Sequence, residues 1–529
     1  MFDVLEAEAR ELSRRRFVEQ LARDGALLTG LGGLGLVLPT GVAYAGPNSG
    51  PLDDLVCSPP PKAKPQRRKG GESFPPLPLP ATPLRRTERK RPPAPPALVA
   101  KMALGKTRFR TVKGKRVAYR DWLTDPADID SLLRWLNEKL GIRYRPIEGD
   151  FAHFSYDPRE IPAILLSGHQ AFHLEKDVLA SLARYVLDGG TIIGDACCGW
   201  QDFDGAFREQ MNSLLPGRRL RRLEPDDPLL GAYYRLGDFT YQRADGSRYV
   251  DKPCLEGIYV GCRLGVIYSP ADLTCGWDGH THPRGTRVVV GQARQIGANY
   301  ITYLLASYQL GRFLSTTKVY HEQEVPSRDS FVIGQIVHDG DWDPDPSAIH
   351  NLLKAARESS TVHVKFKREN VQLGDRKALS HPLLYMTGHH DFRFSKTEVQ
   401  RLRGYLKAGG LLLADACCGR LSFDGAFRKE LGRVLPDHTL ERLPADHPLY
   451  HTLNDIRSVS YSPLVERDFG KLTTPTLEGI SIDGKLAVVY SRFDLGDGWE
   501  MFPHPFSRGY SSKDALKIGV NVLVYTLTH

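Results

Sequence analysis

The chain has 529 residues, of which 41% are hydrophobic and 25% are charged, a composition typical of a water-soluble globular protein. It excludes a multi-span membrane protein and a wholly disordered chain, and the length suffices for two hydrophobic cores. The net charge of +9 comes from one segment: residues 62–119 hold 17 Lys or Arg against Glu72 and Glu88, so the rest of the chain is slightly acidic.

The N-terminal segment is predicted to direct export. Residues 13–18, Ser-Arg-Arg-Arg-Phe-Val, resemble a twin-arginine export motif, and an apolar, glycine-rich stretch follows at residues 26–42. Ala-Tyr-Ala at residues 43–45 supplies a small-x-small cleavage site, so residues 1–45 are predicted to be a signal peptide. The alternative is an uncleaved membrane anchor, although the stretch is short for one and contains Pro39. We expect the protein in the periplasm or a similar space outside the cytoplasm.

Residues 46–112 are predicted to be a disordered linker. They are rich in proline and basic side chains, and they contain too little apolar surface to offset the entropy lost on ordering. Such a basic arm could contact an anionic membrane surface. Nucleic acid is not an expected partner of an exported protein.

The rest of the chain contains one structural unit twice. Asp-Ala-Cys-Cys-Gly occurs at residues 195–199 and again at residues 415–419, and further pairs keep the same offset of 220 residues. Two extra residues after Pro448 raise the offset to 222 for the later pairs. A period this long indicates domain duplication, because solenoid repeats span only about 20 to 50 residues. We predict two domains, at residues 113–316 and 330–529, and call residues at matching positions twins.

Each unit alternates short aliphatic runs with helical patterns, which predicts a parallel α/β sheet. The predicted strand, helix and strand are residues 163–168, 174–187 and 191–194 in the first unit and residues 383–388, 394–406 and 411–414 in the second. A glycine pair ends each helix. Because the two strands of such a crossover are parallel, the Gly-His turn after one and the Cys-Cys turn after the other should meet at one sheet edge. Open α/β sheets bind ligands at that edge.

These motifs together resemble those of a known family. In order they are Gly-His, Gly-Gly, Asp-x-x-x-Gly, Phe-x-x-x-Phe-Arg, Glu-Gly-Ile and Gly-x-Asn-x-x-x-Tyr. Both units are identified as members of the bacterial domain of unknown function 4159 family, which is similar to the class I glutamine amidotransferase-like fold. The resemblance implies two tandem flavodoxin-like parallel-sheet domains and a bacterial envelope setting. It implies no established reaction.

A cysteine nucleophile is the first chemical hypothesis. Catalytic members of the amidotransferase superfamily carry a reactive cysteine on the turn after a strand, and Cys197 and Cys417 lie on a similar turn. The Gly-x-Cys-x-Gly elbow of those enzymes is absent, and so is the His-x-Glu pair that they carry late in the domain. Candidate bases are His169 and His282 in the first unit and His389 and His504 in the second, with Asp195 and Asp415 to orient them.

A metal site is the second hypothesis. His169, Asp195, a cysteine and His282 could supply nitrogen, oxygen and sulfur ligands suited to zinc. The spacing matches no common Cys-x-x-Cys pattern, and adjacent cysteines tend to point apart, so no cofactor is predicted and zinc is kept as an alternative. Three cysteines lack a cysteine twin and could pair with each other as disulfides in an oxidising compartment: Cys254, Cys262 and Cys275.

Other polar and aromatic side chains lie near the predicted sheet edge. Asp204 and Arg208, like their twins Asp424 and Arg428, have the spacing of an intrahelical ion pair. Four acidic residues could meet the histidines in the crevice: Glu256, Asp272, Glu478 and Asp494. Trp277 and Trp499 lie on predicted loops that could cover it, as in carbohydrate or peptide sites, or could simply pack the loops down.

The sequence therefore favours an exported envelope protein that binds an unknown envelope protein, or a carbohydrate or peptide ligand, through duplicated noncatalytic domains. The candidate binding residues are His169, Asp195, Cys197, Cys198, Glu256, Asp272, Trp277 and His282, with the twins His389, Asp415, Cys417, Cys418, Glu478, Asp494, Trp499 and His504. The alternative is a cysteine-dependent hydrolase or amidotransferase-like enzyme that acts on C–N bonds through Cys197 and Cys417.

Overall fold

The computed structural model describes residues 95–105, 107–279, 285–316, 330–359, 365–375 and 380–529. The predicted signal peptide and most of the predicted linker lie outside these ranges. Within them, no helix combines the length and the apolar character needed to cross a membrane.

The first repeat, from residue 95 to residue 316, contains twelve strands in its described part. They are β1 (Ala97–Met102), β2 (Arg108–Val112), β3 (Lys115–Tyr119), β4 (Arg145–Gly149), β5 (Ala163–Gly168), β6 (Thr191–Ala196), β7 (Arg221–Arg222), β8 (Phe239–Gln242), β9 (Arg248–Asp251), β10 (Glu256–Val260), β11 (Arg263–Ser269) and β12 (Arg287–Val288). Seven of them form a sheet in the order β4-β1-β5-β6-β11-β10-β7. The first five of these run parallel to one another, β10 pairs antiparallel with β11, and β7 pairs antiparallel with β10.

Helices cover both faces of this sheet. They are α1 (Asp128–Leu140), α2 (Lys176–Leu187), α3 (Gln201–Leu214), α4 (Thr274–Asp278) and α5 (Val290–Ser315). Leu165 of β5 packs in the core that contains α1 and α5, whereas its neighbours Ile164 and Leu166 pack in the core of α2 and α3. A strand that is buried on both faces must be apolar at successive positions, which explains its continuous aliphatic run.

The second repeat, residues 330–529, has the same architecture. Its described strands are β13 (Ser330–Ile336), β14 (Lys365–Val371), β15 (Leu383–Gly388), β16 (Leu411–Ala416), β17 (Glu441–Arg442), β18 (Glu478–Ile482) and β19 (Lys485–Ser491), in the order β14-β13-β15-β16-β19-β18-β17. Its helices are α6 (Ala348–Ser359), α7 (Lys396–Lys407), α8 (Leu421–Val434), α9 (Pro463–Phe469), α10 (Gly496–Glu500) and α11 (Ser512–Thr528). The prediction of two tandem, mostly parallel α/β sheets is confirmed.

The glycine pairs end α2 and α7 as predicted. Gly189 and Gly409 have φ of 107° and 94°, which side chains rarely adopt. A Cβ at the next glycine, Gly190, would lie 2.4 Å from the ring of Tyr185, so the pair also lets the following strand pass close to its helix.

The predicted linker is wrong at its C-terminal end. Residues 97–102 lie within the predicted linker of residues 46–112, but they form β1, an interior strand of the sheet whose last five residues are buried. The run Ala-Leu-Val-Ala-Lys-Met is apolar enough to be a strand once β4 and β5 pair with it on either side. The basic and proline-rich residues around it hide this short run in any average over composition.

The two repeats pack directly against each other. Phe313 stacks on Phe502 with ring centroids 4.2 Å apart, and Tyr303 stacks on Phe506 at 5.1 Å. A salt bridge of 2.9 Å joins Arg420 to Asp227, and their side chains are only 1% and 0% exposed. The carboxyl edge of the second sheet therefore faces the first repeat.

Candidate functional site

Polar side chains converge at the carboxyl edge of each sheet, where parallel strands end together. In the first repeat, Asp121 and Asp125 follow the hairpin after β1, His169 follows β5, and the Cys-Cys turn follows β6. Asp272 follows β11. The sequence predicted the histidine and cysteine turns at this edge, but it missed Asp121, Asp125 and their twins. The repeated Asp-Trp at residues 121–122 and 341–342 was the available signal.

The Cys-Cys turn brings two adjacent sulfur atoms together. It is a single 3-10 turn between strand and helix, and Cys198 and Cys418 have φ of 57° and 52°. Left-handed backbone costs a non-glycine residue about 1 kcal/mol, so packing must hold it in place. As a result the Sγ atoms of Cys197 and Cys198 lie 3.9 Å apart, and those of Cys417 and Cys418 lie 4.0 Å apart. The expectation that adjacent cysteines point apart is wrong here.

Three thiols form the first cluster. Cys275 of α4 places its Sγ 3.9 Å from that of Cys197, and all three cysteines are at most 1% exposed. The thiols of Cys197 and Cys275 donate to Asp125 Oδ2 at 3.3 and 3.5 Å. One donor atom from each cysteine and one from Asp272 lie within 4.8 Å of one another. This is a compact set of soft and charged donors shielded from water.

A histidine borders the first cluster. His169 Nδ1 donates to Asp121 at 3.0 Å, while its buried Nε2 has no hydrogen-bond partner among the described residues. Burial lowers the pKa of His169, but the hydrogen bond with Asp121 and the nearby Cys198 outweigh it and raise the pKa to about 10. A carboxylate on one ring nitrogen with the other nitrogen left open is the arrangement around metal-bound histidines.

Three thiols also form the second cluster, but one comes from the other repeat. Cys262, at the turn between β10 and β11, places its Sγ 3.4 Å from Cys417 Sγ. His389 Nε2 lies 3.1 Å from Cys417 Sγ, and its Nδ1 donates to Asp341 at 2.7 Å. The donor atoms of Cys262, His389, Cys417 and Cys418 lie within 4.8 Å of one another. Sequence reasoning missed Cys262, whose twin is Gly484.

Carboxyl groups surround the second cluster. Cys262 donates to Asp345 at 3.0 Å and to Asp497 at 3.4 Å, and the backbone N–H of Cys418 donates to Asp494. Burial raises the pKa of Asp345 and of Asp494 well above the ordinary value, and neighbouring carboxylates add to both shifts. Both carboxyl groups therefore hold their protons more strongly than exposed carboxyl groups do.

The thiols of the second cluster differ in acidity. Burial raises the pKa of Cys262 and Cys417 well above that of an ordinary thiol. Hydrogen bonds from these two thiols, together with His389 and His504, hold the pKa of Cys418 well below it. Cys418 is therefore the group that carries a thiolate most readily.

Several predicted site residues have structural roles instead. Glu256 accepts hydrogen bonds from Nη1 and Nη2 of Arg208 at 2.6 and 2.8 Å, and Glu478 pairs with Arg428, so neither glutamate meets a histidine. Arg208 also pairs with Asp204 at 2.9 Å, as predicted for the helix, and the twin pair does the same. The arginines lie on α3 and α8, and each reaches the glutamate at the first residue of β10 or β18.

The two tryptophans are not lids. Trp277 and Trp499 lie in the short helices α4 and α10, where they are 2% and 0% exposed. Each indole donates to a helix carbonyl at 2.8 Å, from Ala293 and from Ala515 respectively. The packing alternative is therefore correct, because an indole buries a large apolar area once its N–H finds a partner.

Asp195 and Asp415 anchor the segments that carry other donors. Asp195 accepts from Leu273 N at 2.9 Å and from Thr274 Oγ1 at 2.8 Å, which fixes the start of α4. Asp415 accepts from Leu495 N at 2.8 Å and so fixes α10. Of the other candidates, His504 lies in the second cluster, whereas His282 lies outside the described residues.

The suggested disulfides are not found in the described part of the chain, and the space beside the second cluster is small. The cavity beside His389, Cys418 and His504 has a volume of only about 10 Å³. Cys275 belongs to the first cluster, Cys262 belongs to the second, and Cys254 lies 3.9 Å from Ser269 Oγ. The three cysteines that lack a cysteine twin therefore do not pair with one another. Two of them complete different clusters.

Comparison with known proteins gives one result at the level of family. A family model with the description Domain of unknown function (DUF4159) matches residues 108–305 and matches a second time at residues 332–527. No curated protein matches the chain. The first match begins after β1, and the two matches include the other strands of the first sheet, most of the second sheet and both thiol clusters.

Proposed function

The chain belongs to the DUF4159 family through both of its repeats, and we propose that each repeat binds at least one thiophilic divalent metal ion of the Zn²⁺ class. The main support for this proposal is that three thiols converge at each sheet edge. The third thiol comes from a different sequence position in each repeat. In the first repeat it is Cys275, and in the second it is Cys262 from the neighbouring repeat.

The sulfur separations support a tetrahedral ion. Zinc with four ligands and Zn–S bonds of about 2.3 Å holds its sulfur atoms about 3.8 Å apart. The separations are 3.9 and 3.9 Å in the first cluster and 3.4 and 4.0 Å in the second. A single catalytic cysteine would need neither of the other two thiols.

The remaining donors fit the same ion. Asp272 completes a four-donor set in the first repeat, and His389 completes one in the second. Asp341 holds the far nitrogen of His389, which fixes the orientation of the ring as carboxylates do beside zinc ligands. Buried thiolates and carboxylates are stable only with a compensating cation, and the ion would supply that charge.

Burial favours a structural role for these ions. Structural zinc sites use all four positions for protein ligands, whereas catalytic sites keep one open to water. The cysteines of both clusters are at most 6% exposed, apart from the partly exposed Cys262. The donors of the first set come from two chain segments and those of the second from three, so each ion would hold separate segments together. The binding free energy of the ions would add to the free energy of unfolding.

Metal content of the purified full-length protein tests the proposal. We expect stoichiometric zinc after exhaustive dialysis, less zinc in Cys197→Ser and unchanged zinc in Cys254→Ser, a matched cysteine outside both clusters. Protein that is folded and free of metal after growth with added zinc, cobalt or iron would overturn it.

A cysteine hydrolase is the second candidate. The left-handed backbone at Cys198 and Cys418, between strand and helix, resembles a nucleophile elbow. The chain of contacts from Asp341 through His389 to Cys417 has the order of a catalytic triad. Rapid alkylation of one thiol per repeat by iodoacetamide in metal-replete protein would favour this enzyme, and protection of all thiols would favour metal.

We also propose that each repeat has a flavodoxin-like fold. Counted in chain order, the five parallel strands of each sheet have the order 2-1-3-4-5, which supports a flavodoxin-like, amidotransferase-like domain. Export and binding of an envelope protein, carbohydrate or peptide stay predictions from the sequence.

A further inference from the structure

We infer that the second cluster is a metal centre, the second centre, in which the sulfur atoms of Cys262 and Cys418 bridge two metal ions. The inference rests on the proposed function, which requires only one ion in this repeat. It also makes the centre a joint product of both repeats, because one bridging ligand comes from the first repeat.

Two four-donor sets overlap in this centre. The first contains His389 and Cys417, and the second contains Asp497 and His504. Both sets include Cys262 and Cys418, and the four donor atoms of each set lie within 4.8 Å of one another. Two tetrahedral ions that share an edge need this pattern of two terminal donors on each side and two sulfur atoms between them.

The contacts place the shared sulfur atoms between the two terminal pairs. On one side, Cys262 Sγ lies 3.4 Å from Cys417 Sγ. On the other side, it lies 3.4 Å from an oxygen of Asp497, and Cys418 Sγ lies 3.5 Å from the other oxygen. His504 Nδ1 is 2.6 Å from Asp497. A single ion bound by His389 and Cys417 would not use Asp497 or His504 as ligands.

Unpartnered polar atoms mark the second position. The side chains of His504 and Glu500 are 2% and 0% exposed. His504 Nε2 and Glu500 Oε2 have no hydrogen-bond partner among the described residues, although they lie 3.9 Å from each other. A buried imidazole nitrogen and a buried carboxylate oxygen are costly to leave unsatisfied, and a second cation close to them would compensate for that cost.

Charge leads to the same conclusion. Three thiols and the carboxyl groups of Asp345, Asp494 and Asp497 surround the imidazoles of His389 and His504. The acidic ligands of the two donor sets are Cys262, Cys417, Cys418 and Asp497, which carry four negative charges when they bind metal. Two divalent ions compensate these four charges, whereas a single ion compensates two. The first repeat differs because its twin of Asp497 is Cys275, which is itself the third thiol.

Metal stoichiometry of full-length variants tests the inference, with Zn²⁺ as the probe. Cys418→Ser removes a bridging ligand and should lose two ions per chain, whereas His504→Ala removes a terminal ligand and should lose one. His451→Ala, a surface histidine paired with Asp455, should lose none. Equal loss of one ion in the first two variants would overturn the bridged pair and leave the proposed function standing. Wild-type protein without metal would overturn both.

A spectroscopic measurement keeps the test valid if Cys418→Ser does not fold. Cobalt-substituted wild-type protein should show magnetic coupling between two Co²⁺ ions, seen as an electron paramagnetic resonance signal smaller than its cobalt content requires. His504→Ala should restore the signal of independent ions. Full signal intensity in the wild type would contradict the inference.

Discussion

The two repeats share a fold and a Cys-Cys turn, but they complete their clusters differently. The first repeat uses Cys275 in its own helix α4. The second repeat has Asp497 at the twin position, and Cys262 reaches into it from the β10–β11 turn of the first repeat. Three thiols are thus present at both sheet edges through unrelated positions. The comparison teaches that both sites keep the Cys-Cys turn and a third thiol, whereas the position that supplies the third thiol differs.

Removal of metal should have the largest effect on both repeats. An ion present at about a thousand times its dissociation constant stabilises the folded state by about 4 kcal/mol, so chelation should lower the free energy of unfolding by at least this amount. Denaturant titration before and after treatment with a strong chelator measures the change. Restoration by Zn²⁺ but not Mg²⁺ is the control, and unchanged stability would break the comparison.

The salt bridge between the repeats should have the next largest effect. Arg420 and Asp227 are buried, and Tyr259 donates to the same carboxylate at 2.6 Å. Arg420→Met leaves the Asp227 carboxylate without its cation, which should cost about 3–5 kcal/mol. Asp227→Asn in the same chain should recover part of the loss. The residues at the matching positions are Trp200 and His447, which cannot form the same salt bridge. The two repeats therefore contribute differently to the contact between them.

The third thiols should be exchangeable between the two arrangements. Cys262→Ser should weaken zinc retention in the second centre only, and Cys275→Ser in the first only, as measured by competition with a chromophoric chelator. Adding Asp497→Cys to Cys262→Ser gives the second repeat the arrangement of the first, and we expect one ion to be regained. Failure of this rescue would show that the position of the third thiol matters more than its presence.

Sequence reasoning predicted the sheet edge better than the site on it. The strands at residues 163–168 and 383–388 match β5 and β15, because aliphatic runs bounded by glycine are local signals. Cys262 could not be found this way, since its partners lie in the other repeat and only packing brings them together. A usable signal was present: Cys275 has an aspartate as its twin, so an imperfect duplication leaves one site short of a thiol.

The tryptophans and glutamates show why local context misleads. Glu256 and Glu478 do lie at strand ends, but an arginine four residues after an aspartate on α3 or α8 reaches each of them first. Trp277 and Trp499 occupy glycine-flanked segments that look like loops, yet each forms one helical turn held by buried hydrogen bonds. Such competition among side chains is decided by three-dimensional distance, which spacing along the chain does not contain.

The outer ion pairs should have the smallest effect, and an equal one in both repeats. Arg208 and Arg428 are each 37% exposed, so solvent screens their pairs with Glu256 and Glu478. Arg208→Met and Arg428→Met should each cost about 0.5–1 kcal/mol in thermal or denaturant unfolding. A clearly larger loss in one repeat would reveal a difference that their matching geometry does not show.

X-ray absorption at the zinc edge of the full-length, metal-replete protein tests the central claim most directly. Converging thiols predict a first shell dominated by sulfur at about 2.3 Å, with a smaller share of nitrogen or oxygen at about 2.0–2.2 Å. The sulfur share should fall in Cys262→Ser and in Cys275→Ser alike. A first shell of nitrogen and oxygen alone, or no bound metal at all, would contradict the account.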